Sequence, residues 1–265
     1  MPHNKIQHSK ISRFKNNEIE TVDDLVAVEL PLEIRLGYAD QFTTLVITMC
    51  SPEDIEDLVY GYLYSEGIII HINQVENIEV FDAEFGLVAE VRCTEDVEIE
   101  KHLSKRQSVS HSSCGVCGKT EIDTIIAKNY PKICKQPLLS SSQIFALSQQ
   151  MKQQQGAFQQ TGGVHACALY NEKANLLSVK EDIGRHNALD KLIGESLVKG
   201  LLPLSKNIIL LSGRVSYEMI HKSLMSGVSH LVAIGAPSSL SIELAKVNNL
   251  HLYGFVKNDS YNVYC

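Results

Sequence analysis

The sequence has no tryptophan, no run of apolar residues near the roughly 18 a membrane helix needs, and no second cysteine pair. The apolar stretch Asn207 to Gly213 is strand-length, so no membrane-spanning helix is expected. Glycine and proline total only 23 residues and charged residues make up 21%, which excludes collagen-like, low-complexity and disordered classes. Met1 to Lys15 contains no apolar h-region, so no secretory signal is read there, and residues 1–17 are expected to be disordered. Seven cysteines in such a chain are an odd number for a disulfide framework and point to a reducing, cytoplasmic location. GxGxxG and GxxxxGK[ST] are absent, which argues against a conventional dinucleotide or P-loop site. HxE followed by PCxxC is also absent, which removes the ligands of zinc deaminase chemistry.

Of the 265 residues present, 44% are apolar, enough for one large core or two smaller ones. The net charge of −7 speaks against a general nucleic-acid binder. Its distribution is uneven: residues 53–100 hold fourteen Asp/Glu and one Arg, whereas residues 101–135 hold seven Lys/Arg against Glu121 and Asp123. Such blocks form solvated faces, or the basic one serves whatever lies inside it.

Alternation from Val22 to Met49 predicts two or three strands of a half-buried antiparallel sheet. Ser51-Pro52-Glu53-Asp54 then reads as an N-cap, an N1 proline and first-turn acids, opening a helix on Ile55, Leu58, Val59, Tyr62 and Leu63 that stops before Gly67. Residues 75–99 read as strands turning near Asp82 to Gly86, and regularity fails beyond Lys101. A Gln-rich helix over 140–155, a hairpin over 164–179 and a helix from His186 to Lys199 follow. Strands at 207–211, 230–235 and 250–256 then alternate with single helices, which implies right-handed crossovers and a largely parallel sheet. The expected organisation is a β-rich α+β domain (18–106), a mobile cysteine loop (107–118) and an α/β domain (119–265).

The one compact chemical cluster is His111-Ser112-Ser113-Cys114-Gly115-Val116-Cys117-Gly118-Lys119. Thiols at CxxC spacing can share a metal, form a disulfide or pass sulfur between them. Lys119, Arg106 and His111 would favour the thiolate, and the flanking glycines expose backbone amides. A reactive dithiol, half of a zinc site that Cys134 and His165 could complete, and inert thiols all remain open. Thioredoxin-like chemistry fits poorly, since the pair encloses no proline and does not follow the first strand of a βαβ unit. Cys50, Cys93 and Cys167 sit in apolar strands and read as core, while Cys265 is terminal.

Four polar motifs stand at predicted strand ends, where α/β sheets bind ligands: Thr161 to His165, Glu181 to Asn187, Ser212-Gly213-Arg214 and Gly235 to Ser238. Each alone is ordinary turn and cap chemistry. Arg185 and Arg214, with His186 and Gly213 beside them, make the set a candidate site for a phosphate-bearing ligand.

SSCGVCGK, TGGVHACAL, EDIGRHNALDKLIG, SGRVSYEMIHK and GAPSSLSIELA, in this order, resemble the FdhD/NarQ family, the formate dehydrogenase accessory sulfurtransferases, from about residue 25 to the C-terminus. The resemblance implies a carrier of sulfur from a cysteine desulfurase to the molybdenum of the bis(molybdopterin guanine dinucleotide) cofactor of formate dehydrogenase. It further implies a dimer, and a C-terminal three-layer α/β/α domain of cytidine deaminase-like type without its zinc ligands. Cys114 matches the family's persulfide-bearing cysteine and Cys117 its partner. Phe255, Val256, Lys257, Asn258, Asp259 and Ser260 match its cofactor segment. Where the family commonly has Arg-Gly and then Arg two residues on, this chain has Lys257, Asn258 and Ser260, which removes a bidentate Arg contact to phosphate and leaves the backbone and Lys257.

Overall fold

A computed structural model describes residues 4–39, 41–107, 130–134 and 136–265, with Ser104 to Gln107 described by backbone alone. Strands β1 (Ile6–Lys15) and β2 (Glu18–Ala27) form an antiparallel two-stranded arm. β3 (Leu30–Tyr38), β4 (Gln41–Cys50), β5 (Val75–Ala83) and β6 (Gly86–Cys93) make a sheet ordered β4-β3-β6-β5. β3 and β6 run parallel, and helix α1 (Ile55–Ser65) connects β4 to β5. Period-two alternation puts Leu32, Ile34, Leu36, Ala89 and Val91 on the face that packs against Leu58, Val59 and Leu63 of α1. The opposite face carries polar side chains, with Arg35 bridging Glu33 (2.8 Å) and Glu90 (3.2 Å).

Helix α2 (Ile99–Gln107) leads out of this domain. After α3 (Ser141–Gln154) and the short α4 (Gly156–Thr161), a second sheet is built from β7 (His165–Tyr170), β8 (Leu176–Asp182), β9 (Ile208–Leu211), β10 (His230–Ala233), β11 (His251–Gly254) and β12 (Asn262–Val263). Its order is β12-β11-β10-β9-β7-β8. The strands from β9 to β11 are flanked by α5 (Arg185–Val198), α6 (Tyr217–Met225) and α7 (Ser239–Val247). Cys167, Leu169, Ile209 and Leu211 face these helices, whereas Ala168, Tyr170, Ile208 and Leu210 face Ile144, Leu147 and Met151 of α3. Burial on both faces explains why β9 reads as unbroken Ile-Ile-Leu-Leu.

Five expectations are corrected. Residues 6–15, expected within a disordered 1–17, form β1, because ten successive pairings with β2 give alternate residues cross-strand backbone hydrogen bonds. β2 accordingly joins that arm and not the β3–β4 sheet. The second sheet is mixed and not largely parallel: β9, β10 and β11 are parallel, but β7 pairs antiparallel with both β8 and β9, and β12 pairs antiparallel with β11. Helix α1 starts at Ile55, after Asp54 in a left-handed conformation (φ 54°), and Ser51 does not cap it. The Ser51 amide and hydroxyl are engaged by the other domain, at Asp182 and Ile183. Helical structure also continues past Lys101, to Gln107.

The domains are joined where α1 crosses α5. A Cβ built on Gly61 would lie 1.8 Å from the Asp190 carbonyl oxygen, and one on Gly194 would lie 1.8 Å from that of Asp57. Only two glycines permit this backbone approach. Gly194→Ala should therefore cost at least about 1–3 kcal/mol by pushing the helices apart; denaturant unfolding checks it, and an unchanged midpoint would contradict the close crossing. Buried charges flank the joint. Lys180 reaches Asp57 (2.7 Å), and Lys222 on α6 grips both oxygens of Asp190 (3.0 and 2.9 Å) and Ser65 (3.0 Å).

Candidate functional site

The strand-end motifs converge. β7 is antiparallel to β8 and β9, so the start of β7 at His165, the end of β8 at Asp182 and the carboxyl ends of β9, β10 and β11 share one edge of the sheet. Backbone bonds lace the loops there: Gly235 N–H donates to Gly213 O (3.2 Å), Phe255 N–H to Gly235 O (3.1 Å), and Val215 N–H to Ala236 O (3.0 Å). A Cβ on Gly235 would sit 2.7 Å from the Arg214 nitrogen and from Gly213 O, so this packing requires glycine. Ser212 ties in the remaining strand, its hydroxyl accepting from Ala166 N–H (2.9 Å) and lying 3.3 Å from His165 Nδ1.

Charge and orphaned donors concentrate at this edge. Among the described residues, neither Arg185 nor Arg214 has a carboxylate at ion-pair distance, and Arg214 is exposed. At this edge three buried polar atoms make no hydrogen bond to a described residue: Arg185 Nε, His186 Nε2 and Ser216 Oγ. His186 Nε2 does lie 3.4 Å from Glu218 Oε2. Buried N–H and O–H groups without partners are costly and mark a place where a ligand would supply them. The arginines and the starts of α5, α6 and α7 make that ligand an anion.

Burial first, then the neighbouring charges of Arg185 and Lys222 and the ring of His165, pushes His186 down to about 4. Burial and Arg185 lower His165 as well, against the pull of Asp182. Both imidazoles are neutral at pH 7. Between pH 6.5 and 4 the unfolded chain takes up a proton that the folded His186 refuses, so stability falls as pH drops through that window. His186→Gln should flatten this part of the melting temperature–pH curve relative to the parent chain, and an unchanged slope would contradict the assignment.

The proposed cofactor segment lies at the same edge but is not uniformly available. Phe255 (φ 54°) and Lys257 to Ser260 are exposed, and Lys257 N–H closes a turn onto Ser260 O (2.8 Å). Val256 points the other way, 3% exposed in the core beside α3, so only its backbone faces the edge. Cys114 and Cys117 lie outside the described residues. The chain returns from that segment at Tyr130, whose hydroxyl lies 3.0 Å from His221 Nδ1, while Tyr217 stacks on the same ring. Both partners are on α6, whose first turn borders the site. Cys134 is exposed and His165 lies at the sheet edge; among the described residues no three His, Cys, Asp or Glu side chains could hold a metal.

Sequence reading missed two features. Ser216 borders the site just before Tyr217-Glu218 at the start of α6; Ser before an acid two residues on was a usable helix-start signal. Asp182, passed over inside its motif, is fully buried and bonded through both oxygens. No sequence signal marks that role, because Ser51 is 131 residues away.

The FdhD/NarQ family model matches residues 27–265. The chain is 36% identical to the sulfur carrier protein FdhD of Streptomyces avermitilis over 97% of this chain and 93% of that protein. It is also 36% identical to the sulfur carrier protein FdhD of Sulfurisphaera tokodaii, over 98% and 97%. The fold is similar to that of a crystal structure from Desulfotalea psychrophila, assigned as a formate dehydrogenase accessory protein, with a TM-score of 0.74 and 23% identity, covering 98% of this chain and 97% of that one. Among the described residues, no helix is long and apolar enough to cross a membrane.

Proposed function

The chain belongs to the FdhD/NarQ family, and from that premise we propose that it is a sulfur carrier serving formate dehydrogenase. What carries this reading is the similarity to proteins named sulfur carrier over 97–98% of the chain. The strand-end site supports it, since its arginines, orphaned donors and helix starts suit the phosphates of a nucleotide-bearing acceptor.

In the proposed reaction the Cys114 thiolate attacks the outer sulfur of a cysteine desulfurase persulfide. A new S–S bond forms on Cys114 as the old one breaks, and the desulfurase cysteine leaves as a thiolate. The Cys117 thiolate either attacks the Cys114 sulfur, so that a Cys114–Cys117 disulfide forms and the outer sulfur leaves as sulfide, or attacks the outer sulfur and takes it as its own persulfide while Cys114 leaves as a thiolate. The acceptor is the molybdenum of the bis(molybdopterin guanine dinucleotide) cofactor, a substrate held by Arg185, His186, Gly213, Arg214 and the 255–260 segment. Cys114 lies sixteen positions before Tyr130, which is docked on α6 at the border of the site. Lys257 and backbone amides take the place of the arginines that the family commonly has in the last segment. The mixed sheet flanked by α3 on one face and α5 to α7 on the other is read as a cytidine deaminase-like layer arrangement. The working form is a cytoplasmic homodimer.

Expression of this chain in a bacterial strain lacking its own FdhD-type protein tests the reading. Formate dehydrogenase activity should return; soluble expression without activity, with both the desulfurase and formate dehydrogenase polypeptides present, would refute it.

A further inference from the structure

The loop that presents Arg185 and His186 is held by the other domain. Asp182 ends β8 and is fully buried. One of its oxygens accepts from Gly184 N–H (2.8 Å) and Asn187 Nδ2 (3.1 Å), and the other from Ser51 N–H (3.0 Å) and Lys191 Nζ (2.7 Å). Ser51 answers with its other groups: its hydroxyl accepts from Ile183 N–H (3.0 Å) and its carbonyl from Lys191 Nζ (3.0 Å). Asn187 reaches across to Met49 O (2.7 Å). Met49 and Cys50 end β4 of the N-terminal sheet and Ser51 directly follows them, so every residue of the turn from Asp182 to Asn187, apart from Arg185 and His186, is pinned on that corner or on Asp182 itself.

We infer that Ser51 and Asp182 are positioning residues, fixing the 183–186 turn so that Arg185 and His186 face the strand-end site. The N-terminal domain thereby sets the geometry of a site whose ligand-facing groups all belong to the C-terminal domain. A buried carboxylate with four donors is rigid, because moving the turn would leave several groups unpaired at once. Ser51 was free to serve because α1 takes no cap from it. The ligand half of this inference rests on the function proposed above.

The test uses Ser51→Ala, which leaves the Ile183 N–H without its acceptor but adds no bulk. Guanosine diphosphate is the probe, as it carries the base and pyrophosphate of the proposed acceptor. Ser196→Ala is the control, since it removes an equally buried hydroxyl from α5, bonded to Leu192 O (2.7 Å) away from the site. Calorimetry should show about fivefold weaker binding for Ser51→Ala and none of that loss for Ser196→Ala at a comparable fall in melting temperature. In an Arg185→Ala background the Ser51 change should add little, because Ser51 acts through the turn. A readout without ligand accompanies it: the His186 ring, titrated by NMR, should move upward toward 6.5 in Ser51→Ala and stay put in Ser196→Ala. Binding and His186 titration both matching the unmodified chain would overturn the inference. If the unmodified chain ignores guanosine diphosphate, the nucleotide reading fails, and the His186 titration still decides the positioning.

Discussion

Cys114→Ser should reduce the restored formate dehydrogenase activity to that of the empty strain, a loss of about three orders of magnitude or more in sulfur transfer. The reacting species is a thiolate, and a serine hydroxyl is neither ionised near neutral pH nor able to hold a sulfane sulfur. Arg106, His111 and Lys119 are near Cys114 in sequence and would favour a thiolate there, and a hydroxyl in its place would gain nothing from them. Soluble, folded Cys114→Ser protein that still restores activity would remove Cys114 from the reaction. The buried cysteines are poor substitutes. Burial pushes the Cys50 thiol up to about 12 and that of Cys93 to about 11, and holds Cys167 well above its ordinary value, so all three stay protonated.

Lys222→Met should be the most damaging substitution for stability, at about 3–5 kcal/mol and a melting temperature lower by roughly 10 °C. Lys222 is 1% exposed, and its ammonium neutralises Asp190, which is equally buried. Burial, offset only in part by Lys222 and the Ser65 hydroxyl, leaves the Asp190 carboxyl raised to about 6, still mostly ionised at pH 7. Removing the lysine strands that charge between α1, α5 and α6. Lys222→Met with Asp190→Asn should therefore cost less than Lys222→Met alone, since the double variant strands no charge. Thermal unfolding of both chains checks the pair, and a larger loss in the double variant would contradict it.

These residues also mark the limit of what the sequence makes legible. Helix α1, both hairpins, and the alternation from Ile208 to Gly254 follow from local periodicity, and the structure has them within a few residues. Strand-end placement of Arg185, His186, Gly213 and Arg214 follows from that alternation, because a strand leading into a helix fixes which edge its loop occupies. Long-range partnership does not. Ser51 looks like a helix cap, and nothing nearby signals that Asp182 and Ile183 take its polar groups. Lys191 and Lys222 look like exposed charges on amphipathic helices, yet each is buried against an acid and a second domain. The arm of β1 and β2 escaped notice because its strands alternate without a buried face; Phe14 and Ile19 at its tip are 69% and 74% exposed. The β7–β8 hairpin is legible, but its antiparallel pairing with β9 is not, because the local pattern of a strand does not say which neighbour it joins in the sheet.

The most direct test of the sulfur-carrier account is to incubate the purified chain with a cysteine desulfurase and L-cysteine, then map added sulfur by non-reducing peptide mass spectrometry. The account predicts one added sulfur atom on the peptide carrying Cys114, lost on reduction and absent from the Cys114→Ser protein. An unmodified 114–117 peptide beside a demonstrably active desulfurase would contradict it.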